Sequence, residues 1–249
     1  MTKLVGIINI TPDSFSDGGA CFDADFAIQA IAQQVEDGAN IIDIGAESTR
    51  PGAIPITAAE EWERLAPVLA ALPHFDDADV HFSVDTRHAE TAKRALAEGV
   101  HWINDVSGFS DPAMVEAVRN SKCKLVMMHS VSVPADKNMV MPESQDVMEA
   151  LLMWARARIA ALESAGIGRS RMIFDPGIGF GKTARQSLTI LRDIGRFAAL
   201  EVPVLIGHSR KSFLSAFGHS RDEATLVVSQ YLAQAKLDYL RVHDVATHR

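Results

Sequence analysis

The feature that most constrains the fold of this chain is a strand, turn and helix pattern that recurs along its 249 residues. Short apolar segments of strand length alternate with stretches whose apolar residues have helical spacing. The predicted strands are residues 4–8, 40–44, 80–84, 102–103, 124–128, 172–174, 204–206 and 239–242. Regular alternation predicts parallel strands with right-handed crossovers. Eight units predict an α/β fold of the TIM (β/α)8 barrel type, with a doubly wound open sheet as the alternative.

The predicted helices fill the intervals between these strands. They are residues 23–36, 58–72, 89–98, a helix beginning after Asp111, 144–164, 183–197 and 221–235. Asp111 followed by Pro112 is typical of a helix start. Only six residues follow His243, so the eighth helix is predicted to be short or absent. No low-complexity linker divides the chain, and we expect residues 1–249 to form a single domain.

The positions of the polar motifs favour the barrel over the open sheet. Ten polar residues follow the carboxyl end of a predicted strand or lie in the loop after it: Asn9, Thr49, Arg50, Asp85, Asn104, Asp175, Ser209, Lys211, Arg241 and His243. In a barrel all these strand ends converge on one face, where the active site lies. An open sheet would instead concentrate function near one switch point.

The overall charge and the apolar segments narrow the possible partners. A formal net charge of −8 argues against a general nucleic-acid-binding surface. No stretch reaches the roughly 18 apolar residues of a membrane span, and the start of the chain does not resemble a signal peptide. The two cysteines, Cys21 and Cys123, are far apart and fit a reducing compartment. We therefore expect a soluble cytoplasmic protein with no nucleic-acid or membrane partner.

Three motifs resemble known sites but fail at a required position. Residues 181–183 (Gly-Lys-Thr) resemble the end of a P-loop, yet Pro176 occupies the position of its first glycine. The glycines of residues 177–181 miss the dinucleotide-binding spacing. A nucleophile elbow around Ser209 would need a glycine where Lys211 stands. ATPase, NAD-dependent and serine-hydrolase functions therefore lack motif support, and no paired-cysteine or His-Glu-x-x-His motif predicts zinc.

The remaining acidic and amide groups could recognise a heterocycle. The carboxylates of Asp85 and Asp175 could each accept two N–H donors from an amidine-like edge. Asn104 could donate and accept along the same edge. For Asp85 the alternative is a cap on the helix that follows.

The basic groups and one amide could recognise phosphate. Arg50, Arg241 and His243 could bind phosphate oxygens, and the amide oxygen of Asn9 could ligate Mg²⁺. Residues 209–212 (Ser-Arg-Lys-Ser) follow a predicted strand and open a segment with helical spacing. They could form an anion site at a helix start, or an ordinary turn with solvated cations.

Several long segments closely resemble those of the dihydropteroate synthase family, in the same order and over nearly the whole chain. They are residues 9–19, 47–52 (Glu-Ser-Thr-Arg-Pro-Gly), 83–86, 103–105, 175–182, 209–212 and 241–244. The resemblance implies a TIM-barrel transferase of folate biosynthesis. It would condense 6-hydroxymethyl-7,8-dihydropterin diphosphate with 4-aminobenzoate to give 7,8-dihydropteroate and pyrophosphate. The resemblance also implies Mg²⁺ as cofactor, a homodimer and a target of sulfonamides.

The resemblance also implies a role for each matching side chain. The residues predicted to be catalytic are Asp85, Asp175, Lys211 and Arg241, which with Asn104 surround the pterin. Further predicted contacts are Thr49, Arg50 and His243 to the diphosphate, Ser209 to the aminobenzoate carboxylate, and Phe15 and Pro51 to its ring. Asn9 would meet the diphosphate through Mg²⁺, whereas Arg210 is expected to be peripheral.

Two other functions would fit part of this pattern. A pterin-binding methyltransferase domain would share the barrel and the carboxylates but would lack the Ser-Arg-Lys-Ser segment and the pair Arg241 and His243. A catalytically silent relative would bind pterin without turnover. The sequence departs from the usual family pattern at residues 130–137, at Ser187 and at His208, none of which has a predicted role.

Overall fold

The chain is built around one sheet of eight parallel strands. The computed structural model describes residues 1–11, 24–49, 52–75, 78–218 and 220–249. The strands are β1 (Lys3–Asn9), β2 (Ile41–Gly45), β3 (His81–Asp85), β4 (Trp102–Asp105), β5 (Lys124–Met128), β6 (Met172–Asp175), β7 (Leu205–Ile206) and β8 (Tyr239–Val242). Each lies within two residues of its predicted position.

The sheet closes on itself. Its order is β6-β5-β4-β3-β2-β1-β8-β7, so the first strand of the chain pairs with the last. The two ends of this order meet at a parallel bridge between Phe174 and Val204, where the Phe174 N–H donates to the Pro203 carbonyl at 2.9 Å. The predicted TIM barrel is therefore confirmed, and the open-sheet alternative is wrong.

Helices follow the strands in the predicted order. They are α1 (Ala24–Glu36), α2 (Ala58–Leu69), α3 (Ala89–Ala97), α4 (Pro112–Arg119), α5 (Val147–Ser164), α6 (Ala184–Arg192) and α7 (Arg221–Gln234). Asp111 caps α4 as predicted, because its side chain accepts the Ala113 N–H at 2.9 Å. After β8 comes only the 3-10 helix Ala246–His248, in agreement with a short or absent eighth helix. In the described parts of the chain, no helix is long and apolar enough to cross a membrane.

The predicted helix 183–197 is interrupted. It is α-helical as far as Arg192 and then continues as the 3-10 helix Ile194–Leu200. Asp193 separates the two at φ −101° and ψ 20°. Aspartate is a weak helix former, and the glycine that follows next but one weakens the helix further.

The segment after β7 also differs from its prediction. Ser209 does not begin an α-helix; a turn is followed by the 3-10 helix Ser212–Phe217. Arg210 lies at the corner of the turn with φ +59°, a value that a right-handed helix excludes. Its N–H donates to Thr225 Oγ1 on α7 at 3.0 Å, which holds the corner in place. The predicted α-helix start that would form an anion site at Ser209 is therefore not present.

The lower part of the barrel interior is filled with apolar side chains, which we call the interior plug. They are Val5, Ile41, Trp102, Val126, Ile173 and Leu205, each no more than 5% exposed, with Tyr239 packed against them. The rings of Trp102 and Tyr239 meet edge to face, with centroids 5.1 Å apart. The interior at this level is thus a packed apolar core, as is usual for a TIM barrel.

Candidate active site

Four polar side chains from separate strands meet above the interior plug. The strand register pairs Gly45 with Asp85 and Asp85 with Asn104. Asp43 lies two residues before Gly45 and therefore on the same face of β2. Arg241 comes from β8. We call Asp43, Asp85, Asn104 and Arg241 the floor cluster.

Arg241 connects the two carboxylates of the floor cluster. Its Nε donates to Asp43 Oδ2 at 2.6 Å, and its Nη2 donates to Asp85 Oδ2 at 2.9 Å. The side-chain amide of Asn104 donates to the same Asp43 oxygen at 3.0 Å. Only 18% of the Arg241 side chain is exposed. A buried cation next to two carboxylates compensates charges that would each be costly to bury alone.

Asp43 is the residue that the sequence interpretation missed. It is 1% exposed, and in the described part of the chain its Oδ1 has no hydrogen-bond partner. A signal was present, because Asp43 is the one charged residue in an otherwise apolar buried strand. A carboxylate at an inward position of a barrel strand needs a partner, and that partner lies almost 200 residues away.

The two predicted acidic residues are both buried enough to change their ionisation. Burial raises the pKa of Asp85 to about 7, against the opposing effect of Arg241. Burial also raises the pKa of Asp175, which Lys211 opposes. Asp175 ends β6, and its Oδ1 accepts the Gly177 N–H at 2.7 Å. N–H donors from a ligand would oppose this effect of burial, because hydrogen bonds to a carboxylate favour its ionised form.

Asp85 does not cap the helix after it. The residue at the start of α3 is His88, and no side chain caps it. Thr86 Oγ1 accepts the His88 N–H at 3.0 Å instead. The capping alternative for Asp85 is therefore wrong.

Lys211 lies against the loop after β6. Its Nζ donates to the Ile178 carbonyl and lies 4.6 Å from the centroid of the Phe180 ring. Burial lowers the pKa of Lys211 to about 8, although Asp175 acts to raise it. Gly179 has φ +82°, and a Cβ there would come within 3.1 Å of Lys211 Cδ. A glycine is therefore needed for the lysine to lie across this loop.

Ser209 and His243 form a pair at the ends of β7 and β8. The Ser209 Oγ lies 2.9 Å from His243 Nδ1, and the His243 backbone N–H donates to the same Oγ at 3.3 Å. The resemblance implies separate substrates for these two residues, whereas the structure places them in direct contact. Arg210 turns away and forms an ion pair with Asp222 at 2.6 Å, in agreement with its expected peripheral position.

Lys182, the lysine of the Gly-Lys-Thr segment, is buried beside the loop after β6. Its Nζ donates to His129 Nδ1 at 2.8 Å, to the His129 carbonyl at 2.8 Å and to the Phe180 carbonyl at 3.0 Å. Burial and the neighbouring lysine lower the pKa of His129 to about 3, so this imidazole is neutral. Lys182 thus fixes the loop that carries Phe180 rather than offering its amine to a phosphate.

The predicted diphosphate and aminobenzoate contacts are only partly described. Asn9 ends β1 and pairs in register with Gly45, at the rim of the floor cluster. Thr49 lies in the loop after β2 and is half-buried. Phe15, Arg50 and Pro51 lie outside the described residues.

No metal-ligating cluster accompanies Asn9 in the described segments. Among those residues, no group of three or more His, Cys, Asp or Glu side chains could hold an ion. An Asn amide oxygen is a hard ligand of the kind Mg²⁺ accepts, but one such group cannot hold the ion alone. The donor set fits an ion whose other ligands come from a phosphate and from water.

The chain resembles known proteins over almost its whole length. The profile of the family described as pterin binding enzyme matches residues 5–243. Dihydropteroate synthase type-3 of Escherichia coli is 39% identical over 98% of this chain and 95% of its own length. The dihydropteroate synthase of Clostridium beijerinckii is 38% identical over 98% of this chain and 89% of its own length.

Solved structures and longer relatives give the same assignment. The dihydropteroate synthase of Anaplasma phagocytophilum, with bound 6-hydroxymethylpterin-monophosphate, has a TM-score of 0.91 and 39% identity over 99% of this chain and 95% of that one. The chain spans 29% of a probable bifunctional folylpolyglutamate synthase/dihydropteroate synthase of Haloferax volcanii, to which it is 39% identical over 98% of its length. These relatives confirm the family inferred from the motifs. The chain belongs to the pterin-binding enzymes, within the dihydropteroate synthase family.

Proposed function

We propose that this protein condenses 6-hydroxymethyl-7,8-dihydropterin diphosphate with 4-aminobenzoate, which yields 7,8-dihydropteroate and pyrophosphate for folate synthesis. The floor cluster is the observation that carries the proposal, because it offers carboxylates, an amide and a guanidinium on one buried surface. A family member from Xanthomonas albilineans has been solved in complex with 7,8-dihydropteroate. It is 34% identical to this chain over 99% of its length, with a TM-score of 0.87.

The pterin would bind on the floor cluster and beside Asp175. Asp85 and Asp175 would accept N–H groups from the heterocycle, while Asn104 and Lys211 complete the edge. Asp43 would hold Arg241 and Asn104 in place from below. A ligand that supplies N–H donors stabilises the ionised carboxylates, so binding and ionisation would support each other.

The condensation exchanges one bond at the methylene carbon. The bond from carbon to the diphosphate oxygen breaks, the amine nitrogen of 4-aminobenzoate bonds to the carbon, and this nitrogen loses a proton. Negative charge develops on the leaving pyrophosphate and positive charge on the pterin. Arg241, Arg50 and His243 would stabilise the first, and the buried carboxylates of Asp85 and Asp175 would stabilise the second.

Arg241 has capacity for this additional role. Its contacts to Asp43 and Asp85 use two of the five N–H groups of a guanidinium. Other N–H groups could meet diphosphate oxygens while the carboxylate contacts persist. The same side chain would then touch both the pterin side and the leaving group.

The aminobenzoate carboxylate would be held by the Ser209 hydroxyl. Because Ser209 precedes a turn and not an α-helix, this contact would depend on the hydroxyl and on its neighbour His243. Phe15 and Pro51 would contact the ring. A family member from Yersinia pestis has been solved with a sulfonamide drug, and we propose that sulfonamides bind this subsite here as well.

We further propose that the protein uses Mg²⁺ as a cofactor, forms a homodimer and acts in the cytoplasm. Asn9 would hold Mg²⁺ by its amide oxygen, together with diphosphate oxygens. When bound, the ion would neutralise part of the charge on the leaving group. These three elements rest on the family resemblance and on the chemistry of Asn9.

Pyrophosphate release tests the proposed function directly. The purified chain is mixed with the pterin diphosphate and Mg²⁺, with and without 4-aminobenzoate. We expect pyrophosphate and 7,8-dihydropteroate in equal amounts, and only when 4-aminobenzoate is present. Pterin binding without release would indicate the silent relative. Methyl transfer to a cobalamin protein, without condensation, would indicate the methyltransferase alternative.

A further inference from the structure

Glu47 begins the segment 47–52, which matches the family, yet the proposed function gives it no task. Its side chain is 5% exposed and directed at Arg87 in the loop after β3. The guanidinium donates through Nε to Glu47 Oε2 at 2.8 Å and through Nη2 to Glu47 Oε1 at 2.8 Å. Two parallel bonds of this kind fix orientation as well as distance.

The same carboxylate also closes the loop after β2. Its Oε1 accepts the backbone N–H of Ile56 at 3.1 Å, which joins the two sides of the loop that carries Thr49. The start of this loop is held a second time, because Arg64 on α2 donates to the Ala46 carbonyl at 3.0 Å. At its other end, Thr57 caps α2 in a capping box.

The loop after β3 is tied into the same network. Thr86 follows Asp85 and donates through Oγ1 to Glu61 on α2 at 2.7 Å. His88 Nε2 lies 3.5 Å from Glu47 Oε2. Among the described residues, the charged and titratable groups near Glu47 are Arg87, His88 and Glu61.

Glu47 is charged throughout the physiological pH range. Burial alone would raise its pKa, but the nearby His88 and the hydrogen bonds from Arg87 lower the pKa to about 2. A charged carboxylate with three N–H donors around it is a rigid joint between two loops.

We propose that Glu47 and Arg87 form a clamp that positions Thr49 relative to Asp85. They are positioning residues that set the distance between the diphosphate contact on one loop and the pterin contact on the neighbouring strand. The inference rests on the proposed function for the identity of the ligand. The clamp acts on the diphosphate half of the substrate, because the floor cluster that would bind the pterin ring is held by its own contacts.

The test compares two ligands and two ion pairs. Glu47→Gln keeps an oxygen for Ile56 but removes the charge that Arg87 needs. The matched control is Glu163→Gln, which breaks the Glu163–Arg169 pair, with bonds of 2.9 and 3.1 Å, near the opposite end of the barrel. Affinity is measured for the pterin diphosphate with Mg²⁺ and for 6-hydroxymethylpterin, which lacks the diphosphate.

We expect Glu47→Gln to lower the affinity for the pterin diphosphate by at least about 10-fold, since small misplacements of binding groups have effects of this size. Affinity for 6-hydroxymethylpterin should change less than about twofold, and Glu163→Gln should change neither. Equal losses for both pterins would assign the pair a general structural role and overturn the clamp. Unchanged affinity for the diphosphate would overturn it as well.

Three further variants guard against a folding artefact. Arg87→Lys keeps the positive charge but cannot form two parallel hydrogen bonds with Glu47. Its affinity for the pterin diphosphate should therefore fall less than that of Arg87→Gln. The double variant Glu47→Gln with Arg87→Gln should lose no more than the worse single variant, because the pair acts as a unit. Additive losses would contradict this. Binding needs no turnover, so wild-type protein that fails to condense would overturn the proposed function alone.

Discussion

The floor cluster and the loops around it hold their polar side chains by different means. In the floor cluster, side chains on strands bond to one another across the barrel, as Arg241 does to Asp43 and Asp85. In the loop after β7, by contrast, Lys211 bonds to the Ile178 backbone carbonyl and Arg210 to the solvent-exposed Asp222. The floor is thus fixed before a ligand arrives, whereas the contacts of Lys211 and Arg210 can be exchanged for substrate contacts at low cost.

The largest effect on turnover is expected for variants of Asp175, which ends a strand, and of Lys211, which lies in a loop. Asp175→Asn or Lys211→Ala should each lower turnover by at least about 100-fold, the scale of a lost preorganised electrostatic contact. Steady-state kinetics with saturating substrates measure this. Turnover near that of the wild type in either variant would contradict both proposed roles.

The next largest effect is a loss of stability, which should be greater for a variant in the floor cluster than for one in the loops. Asp43→Asn leaves Arg241 with a single carboxylate partner in a buried site, and we expect it to lower the free energy of unfolding by about 3 kcal/mol. Denaturant unfolding followed by circular dichroism provides the value. Pterin affinity should fall as well, because Asn104 loses the charge of its acceptor. A loss below about 1 kcal/mol would show that the floor is not held by these ion pairs.

The pH dependence of kcat/KM should have two limbs, one from each region. Asp85 must be ionised to accept N–H groups, and its pKa of about 7 predicts that activity falls as the pH drops through 7. Lys211 must be protonated, and its pKa of about 8 predicts that activity falls as the pH rises through 8. The maximum should therefore lie between these values, with the acid limb shared between Asp85 and Asp175. A profile that is flat from pH 5 to 10 would contradict this assignment.

The smallest effect on stability and turnover is expected for the exposed ion pair between the loop after β7 and α7. Asp222→Asn breaks the pair with Arg210, whose side chain is 47% exposed. Exposed pairs contribute about 0–1 kcal/mol, so stability should change by less than about 1 kcal/mol and turnover by less than about twofold. The variant is the matched control for Asp43→Asn, since both remove one charge that faces an arginine. A loss equal to that of Asp43→Asn would remove the distinction between the two regions.

The fold could be predicted from the sequence because its signals are local. Apolar runs and turn residues mark each strand without reference to any other, and β5 and β8 begin and end where predicted. The 3-10 helix Ser212–Phe217 could not be predicted, because Arg210 adopts φ +59° through its bond to Thr225 on a later helix. Local helical spacing carries no information about such a contact.

Three of the four residues of the floor cluster could be predicted, but not how they are connected. The motifs named Asp85, Asn104 and Arg241, but not the residue that connects two of them. Asp43 and Arg241 are 198 positions apart, and their partnership follows from the closure of the barrel. The contact between Ser209 and His243 also depends on strand pairing, here between the consecutive strands β7 and β8.

In the part of the chain that the structure describes, the interior plug closes the barrel beneath the floor cluster, so the site opens toward the carboxyl ends of the strands. Beneath the floor cluster the barrel is sealed by side chains that are 5% exposed or less. Anything bound on the floor must arrive through the loops and depart by the same way. If the pterin binds on the floor as proposed, it would have to enter before the molecule that covers it, and the joined product would have to leave before the next pterin could enter. The order of events in each turnover is thus constrained by the blocked end of the barrel as well as by the residues that perform the chemistry.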